Sequence, residues 1–216
     1  MFLTKSLKAA ALASVVIAAP IAAKAASYVG EFWDASSSFS TIAEANAFAD
    51  SNTASGTFVS TAIDYPAGSV GSVSDSTSLE DFLGVDFASY VGTLPTSLST
   101  SVLRVSGTFL PGAGLKTYSV GSDDGFSLML NGTQISSRSA PRGFGYTAVD
   151  YDAGAGPVDF VLTYYENGGF TGVEFNIDGV VVDNSIAAAS VPVPAALPLL
   201  AAGLGALGLW GRRKSA

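Results

Sequence analysis

The 216-residue sequence predicts an all-β fold. It reads as an antiparallel sandwich or barrel with two short helices, flanked by an N-terminal signal peptide and a C-terminal transmembrane helix. Three observations carry this reading. Apolar and polar residues alternate at period two through the middle of the chain, as half-buried strands require. Charged residues make up only 13% while glycines number 24, which favours short strands and turns over long solvent-facing helices. Each end carries an apolar stretch beside basic residues, unlike anything in the middle.

Residues 1–25 read as a secretory signal peptide. Lys5 and Lys8 give the positive start, Ala9 to Ala19 the apolar stretch, and Ala23-Lys24-Ala25 the small-x-small cleavage pattern. A domain over 26–190 follows. Thr41-Ile-Ala-Glu44 has capping-box spacing and opens a first helix running to about Asp50. Residues 51–76, rich in Ser, Thr, Ala and Gly, hold one expected strand at Thr57–Asp64 and have the composition of a flexible insertion. Ser78-Leu-Glu-Asp81 opens a second helix, which Gly84 ends. The strand pattern then dominates: Leu103/Val105 leading to Phe109, Tyr118/Val120, Phe126/Leu128/Leu130, Phe160/Leu162/Tyr164 and Val173/Phe175/Ile177. Asn131-Gly132 and Asp178-Gly179 are two-residue hairpin signals, because both central positions of such turns need positive φ.

From Ser185 to Gly211 there is no charge, and Arg212-Arg213-Lys214 follows at once. The stretch from Val191 to Trp210 is long enough to cross a hydrocarbon layer of about 30 Å, and the basic cluster would stay on the cytoplasmic side. With Val191-Pro-Val-Pro-Ala195 in front, residues 191–216 resemble PEP-CTERM sorting signals of the VPLPA-like kind. That resemblance implies export in a Gram-negative bacterium, a membrane-anchored precursor, an exosortase-like processing enzyme as partner, and delivery to the cell surface or extracellular matrix. A plain membrane anchor is the competing reading, and it too places 26–190 outside the cytoplasm.

Composition excludes much chemistry. With no Cys and no His, zinc-finger sites, thiol nucleophiles, disulfides and Ser-His-Asp triads cannot form. All eighteen acidic residues lie between Glu31 and Asp183, whereas six of the ten basic residues lie outside 26–190, so that segment carries a net charge of −14. Such a surface repels a phosphate backbone, and nucleic acid is not an expected partner. No nucleophile–base pair or cofactor motif is visible, and the chain is not expected to be an enzyme.

The most informative stretch is Gly121-Ser-Asp-Asp-Gly-Phe126. Two adjacent carboxylates repel each other, and a hard cation such as calcium removes the conflict, because its six to eight oxygen ligands readily include paired carboxylates. A solvent-facing turn is the bland alternative. Further on come Tyr164-Tyr-Glu-Asn-Gly-Gly169 and Gly172-Val-Glu-Phe-Asn176. Together these resemble the carbohydrate-binding domain family first named from anthrax protective antigen (PA-fourteen), whose signature pairs a strand ending in D-D-G with a later Y-x-E-x-G-G strand end. The match is good over 101–180 and loose over 27–100. The resemblance implies a β-sandwich or barrel in which Asp123 and Asp124, joined by a cis peptide, bind calcium, with Asn167 as a third side-chain ligand. It also implies two glycan hydroxyls completing the ion's shell, and aromatic side chains such as Phe144, Tyr146 or Phe170 against the sugar ring. The expected function is therefore calcium-dependent binding of glycan or exopolysaccharide. A non-catalytic structural or protein-interaction module without a sugar site is the alternative. Three further expectations concern neighbours. One of Tyr164 and Tyr165 faces the core and the other solvent or ligand, Trp33 is core, and Asp150-Tyr-Asp152 is a solvated strand end.

Overall fold

The computed structural model describes residues 27–69 and 71–187. The expected signal peptide (1–25) and sorting tail (191–216) lie outside the described residues. Among the described residues no helix is long and apolar enough to cross a membrane.

The described elements run β1 (Tyr28–Asp34), α1 (Ile42–Ser51), β2 (Gly56–Ser60), β3 (Asp64–Tyr65), β4 (Val73–Ser74) and α2 (Leu79–Leu83). A 3-10 helix (Gly84–Ser89) follows, then β5 (Val91–Gly92), β6 (Ser101–Phe109), β7 (Lys116–Asp123), β8 (Gly125–Leu130) and β9 (Thr133–Arg138). The last are β10 (Gly145–Tyr151), β11 (Val158–Glu166), β12 (Phe170–Ile177) and β13 (Val180–Val181). They form two antiparallel sheets. One has the order β5-β2-β1-β6-β11-β8-β9; the other has β10-β7-β12, with β4, β3 and β13 sharing the far edge of β12 in turn. The architecture is a sandwich rather than a closed barrel.

The five alternating segments are the spine of both sheets, and their apolar members fill the space between them. Phe109, Tyr118, Val120, Phe126, Leu128, Phe160, Leu162 and Phe175 are all buried there. Each such side chain contributes roughly 1.5–3 kcal/mol by leaving water. A second cluster lies outside the first sheet, where Ile42, Ala45 and Ala49 of α1 cover Trp33, Val102 and Tyr165. Thr41 caps α1 by accepting the Glu44 N–H, while the Glu44 carboxylate reaches back to the Ser40 N–H at 2.7 Å. Ser78 caps α2 in the same way. Both hairpin turns form as expected, with φ of 48° and 76° at Asn131 and Gly132 and 52° and 78° at Asp178 and Gly179.

Three expectations are corrected. The strand expected at Thr57–Asp64 is two strands, β2 and β3, because the chain leaves the first sheet after Ser60 to pair with β12 in the second. Residues 51–76 are accordingly integrated, and β3 and β4 cover an edge that would otherwise be open. Tyr164 and Tyr165 are both buried, since α1 and Phe39 cover the outer face where Tyr165 points. Trp33 is core, as expected.

Candidate functional site

The chain crosses between the two sheets twice at one end of the sandwich. Asp123 ends β7 in the second sheet, opposite Gly172 of β12, and Gly125 begins β8 in the first, opposite Tyr165 of β11. The Asp123–Asp124 peptide is thus the crossing itself, and it is cis. The return crossing runs through Asn167-Gly168-Gly169, between β11 and β12. Folding therefore brings the D-D-G triplet and the Y-E-N-G-G stretch side by side, although some 40 residues separate them.

The crossing is fixed from several sides. The Asp124 N–H donates to the Tyr165 carbonyl at 3.2 Å, the Ser122 hydroxyl to the Asp124 carbonyl at 2.7 Å, and the Tyr164 hydroxyl to the Asp123 carbonyl. Arg142, on the loop before β10, is the main brace. Its guanidinium donates to the Ser122 carbonyl at 3.3 Å, the Ser122 hydroxyl at 3.0 Å, the Thr147 hydroxyl at 2.9 Å and the Gly145 carbonyl.

Both aspartates are only 8% exposed. Asp124 Oδ1 accepts the Arg142 N–H at 3.1 Å and Oδ2 accepts the Asn167 N–H at 3.0 Å. The Ser72 hydroxyl and the Phe144 N–H favour the charged form of Asp123. Burial nevertheless pushes the pKa of both carboxyls up, and for Asp123 the neighbouring Asp124 charge adds to the rise. No ion pair reaches either carboxylate among the described residues.

Behind them lies a third carboxyl, Glu166, wholly buried and pushed up to about 8 by burial first and by the Asp124 charge second. One of its oxygens accepts the Gly168 N–H and the other lies 3.2 Å from the Tyr164 hydroxyl oxygen. Glu174 sits in the other sheet and accepts the Tyr146 hydroxyl at 2.7 Å.

The donor set suits a hard cation. Two partly desolvated carboxylates stand on one crossing, held by N–H groups that leave further lone pairs on each oxygen. Among the described residues no three acidic side chains are grouped to hold a metal, so main-chain oxygens, water or a ligand would supply the rest of a shell. Asn167 reaches the pair through its main chain. Its side-chain amide clamps Phe39, with Oδ1 accepting the Phe39 N–H at 2.7 Å and Nδ2 donating to the Phe39 carbonyl at 2.9 Å. As a cation ligand it would share Oδ1 with Phe39.

Of the aromatic candidates, Phe170 and Tyr146 are exposed, and Phe144 packs edge-on against Tyr146 with ring centroids 5.5 Å apart. Asp150 accepts the Thr117 hydroxyl and Asp152 the Gly154 N–H, as a solvated strand end does. Arg142 and Ser72 escaped sequence reasoning. The available signal for Arg142 was scarcity, since it is one of only four basic residues in 26–190 and sits in a Gly/Pro-rich loop.

No protein-family model matches the sequence, and no curated protein is significantly similar to it. Solved structures do match in fold. The PA14 domain of the antifreeze protein MpAFP superposes with a TM-score of 0.68 at 20% identity, over 84% of this chain and 99% of that one. A PA14 sugar-binding domain from an RTX adhesin gives 0.64 at 23% identity, over 77% of this chain and all of that one. The epithelial adhesin 9 A domain from Candida glabrata, in complex with Galb1-3GlcNAc, gives 0.50 at 12% identity, over 81% and 95%. The fold is that of PA14 domains.

Proposed function

We propose that residues 26–190 form a non-catalytic, calcium-dependent glycan-binding module on the outside of the cell, with Asp123 and Asp124 as its cation ligands. One observation carries the reading: two adjacent, buried carboxylates that no ion pair reaches among the described residues, at the point where the chain crosses between the sheets. Likeness in fold to a sugar-binding PA14 domain and to an adhesin domain in complex with a disaccharide supports it. Asp123 and Asp124 would hold the ion, with Asn167 Oδ1 as a shared third ligand. Bound calcium supplies a Lewis-acidic centre for two vicinal sugar hydroxyls. The chain's own part would be to favour the ionised form of both carboxylates and fix their position, through the N–H groups of Phe144, Arg142 and Asn167. Phe170 and Tyr146 offer ring surface beside it. The apolar tail 191–216 would anchor the precursor in the membrane until an exosortase-like enzyme releases it to the surface or matrix.

The test is thermal unfolding of the purified chain in EDTA and with added calcium, beside Asp123→Asn/Asp124→Asn. Calcium at about a hundred times its Kd adds roughly 2.7 kcal/mol, which for this size raises Tm by about 5–10 °C. The shift is expected in the wild type alone. No shift at millimolar calcium would leave a structural or protein-interaction module as the better reading.

A further inference from the structure

The outer face of the first sheet carries a second candidate site. Along β11, Phe160, Leu162 and Tyr164 point into the core, so Asp159, Val161, Thr163 and Tyr165 point outward. Register aligns them in rows: Val102, Tyr165 and Gly125, then Arg104, Thr163 and Ser127, then Ser106, Val161 and Met129. Helix α1 covers the first row. At its flank the sheet emerges, and the step between helix and sheet is an open groove of about 440 Å³. Asn46 and Asp50 form its helix wall, and Arg104, Thr163, Ser127 and Met129 line the sheet side. The volume falls in the range of small-ligand sites.

Its polar groups are held in place. Ser127 and Thr163 are 2% and 1% exposed. Asn46 Nδ2 donates to Ser127 Oγ at 3.2 Å, and Arg104 Nε to Thr163 Oγ1 at 3.2 Å. The Arg104 guanidinium also pairs with Asp50 at 2.9 Å and lies 5.5 Å from the centre of the Trp33 ring. These bonds leave Asn46 Oδ1, the Ser127 hydroxyl proton, one Asp50 oxygen and a guanidinium nitrogen without a protein partner among the described residues. Planar donors and acceptors thus stand beside the aliphatic surface of Met129 and Val161. A pyranose has the matching form, a rim of hydroxyls around a C–H face. Asp50 and Asp159 outweigh Arg104 in charge, which disfavours an anionic ligand.

We infer that this groove is a second binding site, for a neutral hexopyranose unit, and that it works without a metal ion. It shares no residue with the Asp123–Asp124 site and does not depend on the reading given to that site. The test titrates the full chain, in EDTA, with methyl β-D-galactopyranoside, methyl β-D-glucopyranoside and methyl α-D-mannopyranoside up to about 50 mM. It follows the backbone amide shifts of Ser127, Gly132 and Thr163. At least one sugar is expected to shift them saturably with a Kd on the order of millimolar. Asp123→Asn/Asp124→Asn should bind alike, and Asn46→Ala/Asp50→Ala about tenfold more weakly or worse. Alanine suits a helix, so the latter variant keeps α1 intact. Absence of a saturable shift with all three sugars overturns the inference. So does a response that Asn46→Ala/Asp50→Ala leaves unchanged, because the sugar would then sit elsewhere.

Discussion

At Gly125 the backbone enters β8 so tightly that one methyl group has no room. A Cβ there would lie 2.5 Å from the Tyr165 ring and 2.7 Å from the Arg138 carbonyl oxygen. The carbonyl belongs to the backbone of the paired strand β9 and cannot swing away. Its φ is not in the left-handed region, so the requirement is space rather than a turn conformation. Gly125→Ala is therefore expected to cost about 1–3 kcal/mol in denaturant unfolding, as overpacking does. Gly156→Ala, in open space at an ordinary φ, should stay within about 0.5 kcal/mol of wild type. Equal behaviour of the two variants would contradict the packing argument. The paired aspartates were legible because adjacent carboxylates before a glycine are a chemical oddity in themselves. Arg142 was not, because Ser122, the partner that ties it to the crossing, becomes a neighbour only when the β10 loop folds back over β7.

Pairing of β3 with β12 sets Asp64 directly opposite Glu174, two like charges across an antiparallel pair. Burial first and the Glu174 charge second raise the Asp64 pKa, while the Gly68 N–H partly offsets them. A carboxyl raised in the folded state is penalised once the unfolded chain has ionised. The penalty is absent well below the usual aspartate pKa of about 3.9, grows as pH rises through the folded value, and is complete above it. Asp64→Asn should thus gain a few tenths to about 1 kcal/mol at pH 7, with no gain near pH 3. A gain that did not vary with pH would point to something other than charge. The same region shows why some elements could not be read in advance. Strands with one apolar and one largely polar face announce themselves by alternation, and β6, β7, β8, β11 and β12 did so. In β1, Phe32 faces the sandwich core while Trp33 faces α1, so both faces are apolar and the alternation disappears. β10 lies at a sheet edge and none of its residues is fully buried, so few of them need to be apolar. β3 and β4 are two residues each, too short for any periodicity, and exist only because β12 offers them an edge.

Over the whole domain, eighteen acidic residues against four basic ones make self-repulsion a general cost of compactness. Raising sodium chloride from about 0.01 M to about 0.15 M shortens the Debye length from about 30 Å to about 8 Å. The melting temperature should rise by a few degrees, by the same amount in wild type and in Asp123→Asn/Asp124→Asn, because the effect belongs to the surface rather than to one site. This sets the standard that any calcium effect has to exceed. Divalent ions screen as well as bind, so a calcium-induced rise measured in low salt alone would be ambiguous. In about 0.15 M sodium chloride most of the diffuse repulsion is already gone, and an added few millimolar of calcium changes ionic strength very little. A further rise under those conditions, seen in the wild type and absent from the double asparagine variant, would have to come from the two carboxylates at the crossing. Magnesium at equal concentration should reproduce little of it, since that ion demands near-octahedral geometry at about 2.0–2.1 Å and sheds its water reluctantly. Here the carboxylates are already held by N–H groups from two loops and by the Ser72 hydroxyl from a third, an arrangement that leaves little freedom to close around the smaller ion. Equal shifts with both ions, or equal calcium shifts in both proteins, would assign the effect to the acidic surface as a whole.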